Sequence, residues 1–411
     1  MPSDTDPGVV IVGGGHAAVQ LAQGLRRLGW QRGVTIVGEE PVLPYHRPPL
    51  SKDFLKGRKR FEQILIRQES AYARDGIRLV LGRRVDAIDR AGKSVRLDDG
   101  SSLDYEKLVL SCGASPRRLP VPGIERAGVC YVRTIADIER MRAAVEPGGR
   151  ALVVGAGYIG LEAAASLRAL QMNVTVLETQ ERVLKRVTGP IMSDFFARLH
   201  REEGVQVRLG ASVTAIHGDE RVRAVELGSG SVEPIDLVVI GIGIVPNVAL
   251  AEASGLDVND GIVVDQHCRT TDPDIHAVGD CASFLHPRYG RSMRLESVQH
   301  ANDQAMAAAK ALCGAAEPYA TVPWFWSDQF DVKLQIAGLS DGHDLVVERG
   351  DSTRGRSFTL CYVKNDRLLA VDAVNRPKDF VAARKLVADS VKVDPARIAN
   401  PELPLDAAVL Q

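Results

Sequence analysis

The 411-residue sequence predicts an α/β fold with two doubly wound domains, each built on a parallel sheet, and a C-terminal α+β domain. Two observations predict the doubly wound domains. An apolar run leading into a glycine-rich turn occurs twice, and a helical pattern and a second apolar run follow each turn. The third observation concerns the C-terminal portion, where strand-like runs and one helical run replace this pattern.

The first unit begins with four apolar residues, Val9 to Val12, which are typical of a parallel strand buried on both faces. Gly13, Gly15 and Ala18 then fit the pattern G-x-G-x-x-G/A, and the next strand ends in Glu39. In this pattern Gly13 makes the tight turn, Gly15 lets a pyrophosphate approach the backbone, and Ala18 allows close helix–strand packing. The helix N-terminus offers N–H groups to phosphates, and the Glu39 carboxylate can accept hydrogen bonds from a ribose. The unit therefore predicts a dinucleotide site.

The second unit repeats every part of the first. Its glycines are Gly155, Gly157 and Gly160, and Glu178 ends its second strand. A silent duplicate would be expected to lose some of these residues, so the sequence favours two occupied sites. Two dinucleotides indicate a relay in which a nicotinamide passes a hydride to a flavin, which hands electrons onward.

The residues around Glu178 bear on the choice between NAD and NADP. A carboxylate at this position hydrogen-bonds two ribose hydroxyls and repels a 2′-phosphate, which favours NAD. Three basic residues follow closely and could accept a phosphate, namely Arg182, Lys185 and Arg186. The sequence therefore favours NADH, with NADPH as the weaker alternative.

The composition excludes several classes of function. The formal net charge is -1, whereas proteins that bind nucleic acids usually carry a basic excess. No apolar run approaches the ~18 residues of a membrane span, and the first residues lack the pattern of a secretory signal. The cysteines and histidines show no metal-ligand spacing. We therefore expect a cytoplasmic protein without metal, nucleic-acid or membrane partners.

Six further stretches carry a resemblance to a known family. They are "RPPLSK" at 47–52, "LSCGASPRR" at 110–118, "GIGIVPN" at 241–247, "TTDPDIHAVGD" at 270–280, "PWFWSDQ" at 323–329 and "AVDAVNRPKDF" at 370–380. With the two glycine units, they resemble the FAD-dependent pyridine-nucleotide reductases, whose two Rossmann-like domains have the glutathione-reductase-like arrangement. Within that family the chain is most similar to the ferredoxin and rubredoxin reductases of oxygenase systems. The resemblance implies FAD at the first site and NADH at the second.

The resemblance also implies roles for individual residues. FAD would be contacted by Ala17, Glu39, Lys52, Val85, Arg133, Asp280 and Val298. The NAD site would be lined by Gly155, Gly157, Ile159, Gly160, Glu178 and Gly241. Lys52 would lie beside the flavin ring and pair with Glu162. Trp326 would lie near the flavin edge, close to where the acceptor docks.

Several of these positions have alternative interpretations. Asp280 follows a short strand and could bind a flavin ribityl chain or cap a following helix. Cys112 stands where the family has threonine, which questions a hydroxyl contact at that position. His16, in the first glycine loop, could touch the pyrophosphate or face solvent. Trp324 and Trp326 could also simply fill a core.

The cysteine positions bear on where the electrons go. No cysteine occurs between Glu39 and Leu110, so the redox cysteine of the flavoprotein disulfide reductases is missing. Reduced flavin then needs an external acceptor, and a two-iron two-sulfur ferredoxin takes electrons singly. The expected steps are stacking of NADH on the flavin, hydride transfer driven by proximity, and release of single electrons.

A basic loop is a candidate docking site for an acidic ferredoxin. This loop contains Arg288, Arg291 and Arg294, although it could also be an ordinary solvated loop. Three other functions stay open: an NADH oxidase or peroxidase, a rubredoxin reductase, and a flavoprotein that signals through NADH-dependent association.

The sequence also predicts a division into domains. The FAD domain is expected at 1–114 and 245–322, the NAD domain at 115–244, and the C-terminal α+β domain at 323–411. In proteins of this class the last domain covers the flavin and often mediates association. We therefore expect a monomer or a homodimer.

Overall fold

The computed structural model describes residues 7–315 and 317–410, which divide into two compact units. Within the described ranges, unit 1 contains the chain up to residue 46, 62–115 and 245–323. Unit 2 contains 47–61, 116–244 and the chain from 324 onwards. Each unit is thus assembled from three separate stretches of sequence.

The helices and strands fall, in chain order, into four groups. The first contains β1 (Val9–Val12), α1 (His16–Arg27), β2 (Val34–Gly38), α2 (Glu69–Arg74), β3 (Ile77–Leu81), β4 (Val85–Asp89), β5 (Ser94–Leu97), β6 (Ser102–Asp104), β7 (Lys107–Leu110) and β8 (Ala114–Pro116). The second contains β9 (Val129–Tyr131), α3 (Ile135–Ala143), β10 (Arg150–Val154), α4 (Tyr158–Ala169), β11 (Asn173–Glu178), α5 (Pro190–Glu202), β12 (Gln206–Leu209), β13 (Val213–His217), β14 (Ala224–Leu227), β15 (Val232–Pro234) and β16 (Leu237–Ile240).

Two further stretches complete the chain. The third contains β17 (Ile244–Pro246), α6 (Ala249–Ala253), β18 (Ile262–Val264), β19 (Ile275–Ala277), β20 (Ala282–His286), β21 (Arg291–Met293) and α7 (Val298–Leu312). The fourth contains β22 (Trp324–Gln329), β23 (Val332–Gly338), β24 (Leu345–Gly350), β25 (Phe358–Lys364), β26 (Arg367–Val374), α8 (Pro377–Ala388) and α9 (Pro395–Ala399).

Unit 1 is built on a five-stranded parallel sheet in the order β19-β7-β1-β2-β3. All four residues of β1 are buried because this strand lies at the centre of the sheet. Helices α1 and α7 approach closely, since a Cβ atom added to Gly24 would lie 3.0 Å from Cβ of Ala309. The antiparallel strands β4-β5-β6 lie between β3 and β7 in the chain.

Unit 2 contains a second five-stranded parallel sheet in the order β12-β11-β10-β16-β9. The antiparallel strands β13-β14-β15 lie between β12 and β16 in the chain. Strand β10 thus corresponds to β1, β11 to β2, and β16 to β7. The duplicated sequence pattern is a duplicated topology, and each glycine-rich turn follows the central strand of its sheet.

The chain from residue 324 forms an antiparallel sheet in the order β22-β23-β26-β25-β24. Arg349 of β24 is buried and forms an ion pair with Asp379 of α8 at 3.0 Å. The same guanidinium donates to the backbone carbonyls of Ile398 and Asn400, which attaches the last segment to the sheet. This sheet and its helices confirm the predicted α+β portion, and the two parallel sheets confirm the predicted α/β class.

The division into three domains stays a prediction. The compact units place the third predicted domain with the second, and they place 47–61 in unit 2. No helix among the described residues is long and apolar enough to cross a membrane.

Candidate functional site

The first glycine loop connects β1 to α1 and needs glycine at its first position. Gly13 has a φ of +116°, and a Cβ atom there would lie 2.3 Å from the backbone oxygen of Ser111. Gly15 is the N-cap of α1 and has extended backbone, and no side chain caps the helix. A Cβ atom on Gly15 would meet nothing within 4 Å, so there is open space beside the N-terminus of α1. Such a helix N-terminus fits the pyrophosphate of a dinucleotide.

The turn that carries Asp280 lies beside this loop. A Cβ atom added to Gly279 would lie 3.4 Å from Cβ of Ala17, and Ala18 is fully buried behind it. The Gly279 N–H donates to Gln304 Oε1 of α7 at 2.7 Å, which fixes the turn. Only a three-residue 3-10 helix, Gly279–Cys281, follows the strand, and the chain then continues as β20. The expected helix start after Asp280 is therefore wrong, and Asp280 caps no α-helix.

The other residues expected at FAD fall into both units. Glu39 is exposed just after β2, Val85 is buried at the start of β4, and Val298 is the first residue of α7. These three belong to unit 1, as the first glycine loop does. Lys52 and Arg133 belong to unit 2.

The two unusual residues near the first loop have partners in the protein. His16 Nε2 lies 3.1 Å from His46 Nδ1, and the two rings are tilted against each other at 5.2 Å. The Cys112 Sγ atom lies 3.9 Å from the Val12 carbonyl oxygen, and burial raises the pKa of this thiol. Cys112 is thus held as a neutral thiol against the end of β1.

The second glycine loop connects β10 to α4 and repeats the first in detail. Gly155 has a φ of +102°, and a Cβ atom there would lie 2.5 Å from the Gly241 oxygen. A Cβ atom on Gly160 would lie 2.1 Å from the Gly155 oxygen, so the helix needs glycine to pack on the loop. Gly157 is the N-cap of α4 without a side-chain cap, and Ile159 is 45% exposed in the first turn.

Glu178, at the end of β11, is bonded to this loop. Its Oε2 atom accepts from the Ala156 N–H at 2.8 Å, and its Oε1 atom accepts from the Gln180 N–H at 3.0 Å. The structure thus brings together all six residues expected at the NAD site. Two of the nearby basic side chains are engaged elsewhere. Arg182 donates to the Thr188 oxygen and to Ser193 Oγ, and Lys185 pairs with Glu181.

A buried carboxylate lies on the helix that follows this loop, where the Glu162 side chain of α4 is 2% exposed. Its Oε1 atom accepts from Lys52 Nζ at 2.9 Å and from Ser327 Oγ at 2.6 Å. Its Oε2 atom accepts from Ser51 Oγ at 2.6 Å, and Ser166 of the same helix donates to the Ser51 oxygen. The structure therefore contains the Lys52–Glu162 pair that the resemblance implies.

Sequence reasoning missed the two hydroxyls that bond to Glu162. Ser51 adjoins Lys52 in "RPPLSK", and Ser327 adjoins Trp326 in "PWFWSDQ", so both lie inside motifs already singled out. Trp326 lies on β22 with its ring 5.7 Å from that of Trp324. Both tryptophans are partly exposed, so neither fills a core.

The three arginines of the basic loop differ in their surroundings. Arg288 and Arg291 are exposed around the turn between β20 and β21. The Arg294 side chain is only 10% exposed and pairs with Glu296 at 2.6 Å and Asp260 at 3.4 Å. It also donates to the Asp280 backbone oxygen at 3.3 Å. Docking at these arginines stays a prediction, and the two acidic partners of Arg294 reduce the charge that this residue offers.

All six cysteines are held as neutral thiols, because burial raises the pKa of each. The pKa is raised to about 11 for Cys130 and Cys281 and to about 12 for Cys361. It is also raised for Cys112, Cys268 and Cys313. No group of three or more metal-ligating side chains occurs within 7–315 and 317–410.

The chain contains two parallel sheets, and each has a glycine loop followed by a helix without a side-chain cap. This arrangement defines a protein that binds two dinucleotides. The chain belongs to the pyridine nucleotide-disulphide oxidoreductase family, whose pattern matches residues 7–305, and a reductase C-terminal domain matches residues 324–409.

The chain is similar over nearly its full length to characterised members of this family. It is 44% identical to putidaredoxin reductase of Pseudomonas putida, with 97% of this chain and 95% of that protein covered. It is 45% identical to the 5,5'-dehydrodivanillate O-demethylase ferredoxin reductase subunit of Sphingobium, with 96% and 97% covered. The crystal structure of the covalent putidaredoxin reductase–putidaredoxin complex superimposes with a TM-score of 0.95 at 42% identity, covering 98% of this chain and 99% of that one.

Proposed function

We propose that the protein is an NADH-dependent ferredoxin reductase that serves an oxygenase. The observation that carries the proposal is the pair of complete glycine loops, each followed by a helix without a side-chain cap, in a chain whose thiols all have raised pKa values. The similarity to reductases of oxygenase systems supports the same function.

The first loop fits FAD. Its open space at Gly15 accommodates a pyrophosphate, and the exposed Glu39 carboxylate is available to the adenosine ribose. Ala17, Val85, Asp280 and Val298 would complete the contacts within unit 1. When bound, FAD accepts a hydride from NADH and gives up electrons one at a time.

The second loop fits NADH better than NADPH. The Glu178 carboxylate would exchange its contact with the loop for the ribose hydroxyls, and its charge would repel a 2′-phosphate. Arg182 holds the 185–193 segment through hydrogen bonds, so it is not available to bind a phosphate. The use of NADH as reductant fits a cytoplasmic protein.

Lys52 and Glu162 would act electrostatically rather than as an acid and a base. Lys52, beside the flavin ring, would supply a positive charge where negative charge develops on reduction. Glu162 orients this ammonium at 2.9 Å. Arg133, whose backbone oxygen accepts from Arg47, would contact FAD, and Trp326 would lie near the flavin edge, close to where the acceptor docks.

The acceptor that fits best is an acidic two-iron two-sulfur ferredoxin. The exposed Arg288 and Arg291 would attract it, while Arg294 is paired with Glu296 and Asp260. A peroxidase or a disulfide reductase would need a reactive thiolate, whereas burial keeps every cysteine of this chain protonated at neutral pH.

A comparison of electron acceptors and donors tests the proposal. The purified FAD-loaded protein is mixed with NADH or NADPH, and then with an acidic two-iron ferredoxin, a rubredoxin, oxygen or peroxide. We expect rapid flavin reduction by NADH and fast reoxidation by the ferredoxin alone. Faster reoxidation by peroxide or oxygen would establish the oxidase alternative, and faster reoxidation by rubredoxin would change the partner. Slow flavin reduction by NADH would instead favour the signalling role.

A further inference from the structure

A chain of buried hydrogen bonds reaches the Glu162 carboxylate from the C-terminal sheet. Ser327 donates to Glu162, and Gln329, two residues further along β22, donates from Nε2 to Ser327 Oγ at 3.1 Å. Gln329 Oε1 lies 2.8 Å from His200 Nε2 of α5. Ser327, Gln329 and His200 are each no more than 1% exposed, so water does not compete for these bonds.

The direction of every bond in this chain is determined. Ser327 has one hydroxyl hydrogen, which it gives to the carboxylate, so its oxygen must accept from the Gln329 amide nitrogen. The Gln329 oxygen then faces His200, whose Nε2 atom must carry the proton. Burial lowers the pKa of His200 to about 4, which keeps the ring neutral. All donors therefore point toward Glu162.

We infer that Ser327 is a positioning residue that sets how strongly Glu162 neutralises the Lys52 ammonium. Ser327 and Lys52 share the Oε1 atom, so the hydroxyl draws part of the negative charge away from the ammonium. The inference rests on the proposed function, because it matters only if Lys52 lies beside a flavin.

Loss of the Ser327 hydroxyl has a defined electrostatic consequence. With one donor fewer, the Glu162 carboxylate concentrates its charge on Lys52 and on Ser51, and the ammonium presents a weaker field to its surroundings. Reduced flavin would then be stabilised less. The midpoint potential of the bound flavin should become more negative, and flavin reduction by NADH should slow.

The test compares Ser327→Ala with two replacements that keep a donor and with one control. Ser327→Thr keeps the hydroxyl, and Ser327→Cys replaces it with a slightly larger thiol, which is a weaker donor. The control, Ser352→Ala, removes a buried serine of the same C-terminal portion that does not bond to Glu162. The measurements are the flavin midpoint potential by spectroelectrochemistry, single-turnover reduction by NADH, and thermal unfolding of the FAD-loaded protein.

We expect Ser327→Ala to shift the potential to more negative values and to slow flavin reduction about tenfold, without changing the concentration of NADH at half-maximal rate. Ser327→Thr should behave as the wild type, and Ser327→Cys should fall between the two. The inference is overturned if the potential is unchanged while only the unfolding temperature falls, or if Ser352→Ala shifts the potential equally. None of these measurements uses ferredoxin. If a ferredoxin is not the acceptor, this would be seen separately, in the reoxidation rates of the wild-type protein.

Discussion

The Glu178 carboxylate accepts a hydrogen bond from the Ala156 N–H at 2.8 Å, which ties the end of β11 to the loop that begins α4. The same side chain also accepts from the Gln180 N–H. Glu178 therefore has two tasks, since it supports the loop and it is the group that would bind the ribose of NADH. These tasks can be separated, because a neutral amide can accept the loop hydrogen bond without repelling a phosphate.

The first prediction separates them with Glu178→Gln and Glu178→Ala. Both variants should raise the KM for NADH, by roughly tenfold for alanine, because the carboxylate that would accept hydrogen bonds from the ribose hydroxyls is lost. Glu178→Gln should lower the preference for NADH over NADPH, since the charge that repels a 2′-phosphate is gone. Steady-state kinetics with both nucleotides measures this. Glu181→Ala, which removes only an exposed partner of Lys185, is the control. An unchanged nucleotide preference in Glu178→Gln would contradict the assignment.

The second prediction uses the two glycines that begin the loops to separate the two sites. Gly155→Ala should keep FAD but reduce NADH-dependent flavin reduction at least tenfold, because its Cβ would displace the Gly241 backbone. Gly13→Ala should instead lower the FAD content, because its Cβ would displace Ser111. Flavin absorbance per protein and rapid-mixing kinetics distinguish the two outcomes.

The control for this experiment is Gly148→Ala. Gly148 has a φ of +80°, but a Cβ atom there would meet nothing within 4 Å, so only the cost of the backbone conformation remains. The assignment fails if Gly148→Ala impairs the reaction as much as Gly155→Ala does, or if Gly155→Ala loses FAD instead.

Features formed by residues that are close in the sequence could be predicted from it. The glycine loops and the acids after the strands follow from local patterns, since each unit lies within about 30 residues of sequence. The C-terminal strands β24 to β26 and helix α8 were likewise recognisable from their alternating or helical runs.

The contacts that sequence reasoning missed join residues that are distant in the chain. Ser327 reaches Glu162 across 165 positions, so no local pattern reports it. The sequence suggests that Arg294 is a surface charge, because its partner Asp260 comes from another segment and only Glu296 lies nearby in the sequence. The prediction of a helix after Asp280 was wrong, because strand β20 begins two residues later.

The third prediction concerns Asp372, which is buried on β26 and accepts from Tyr362 Oη at 2.7 Å. Burial raises the pKa of Asp372 to about 7, against about 4 in an unfolded chain. Between these values the unfolded chain releases the proton while the folded chain keeps it. The contribution of Asp372 to the free energy of unfolding should therefore fall as the pH rises from about 4 to about 7, by up to about 4 kcal/mol, and level off above.

Asp372→Asn tests this, because it removes the titration and keeps an acceptor for Tyr362. We expect the variant to unfold like the wild type near pH 4 and to be more stable than the wild type at pH 8. Denaturant unfolding at several pH values measures the difference. Tyr362→Phe should have the opposite effect at pH 8, since it leaves the carboxylate without its donor. Parallel profiles for the wild type and Asp372→Asn would show that Asp372 does not titrate in this range.

The fourth prediction concerns the two exposed arginines between β20 and β21. Reversing both charges, with Arg288→Glu and Arg291→Glu, should lower kcat/KM for an acidic ferredoxin about tenfold at low salt. The salt dependence of the rate should weaken, and reduction of a small dye by NADH should stay unchanged, because FAD and the NADH site are not altered. Arg78→Glu together with Arg96→Glu makes the same change in net charge elsewhere on unit 1. Equal losses in both double variants would indicate a general charge effect, and no loss in the first would place the ferredoxin on another surface.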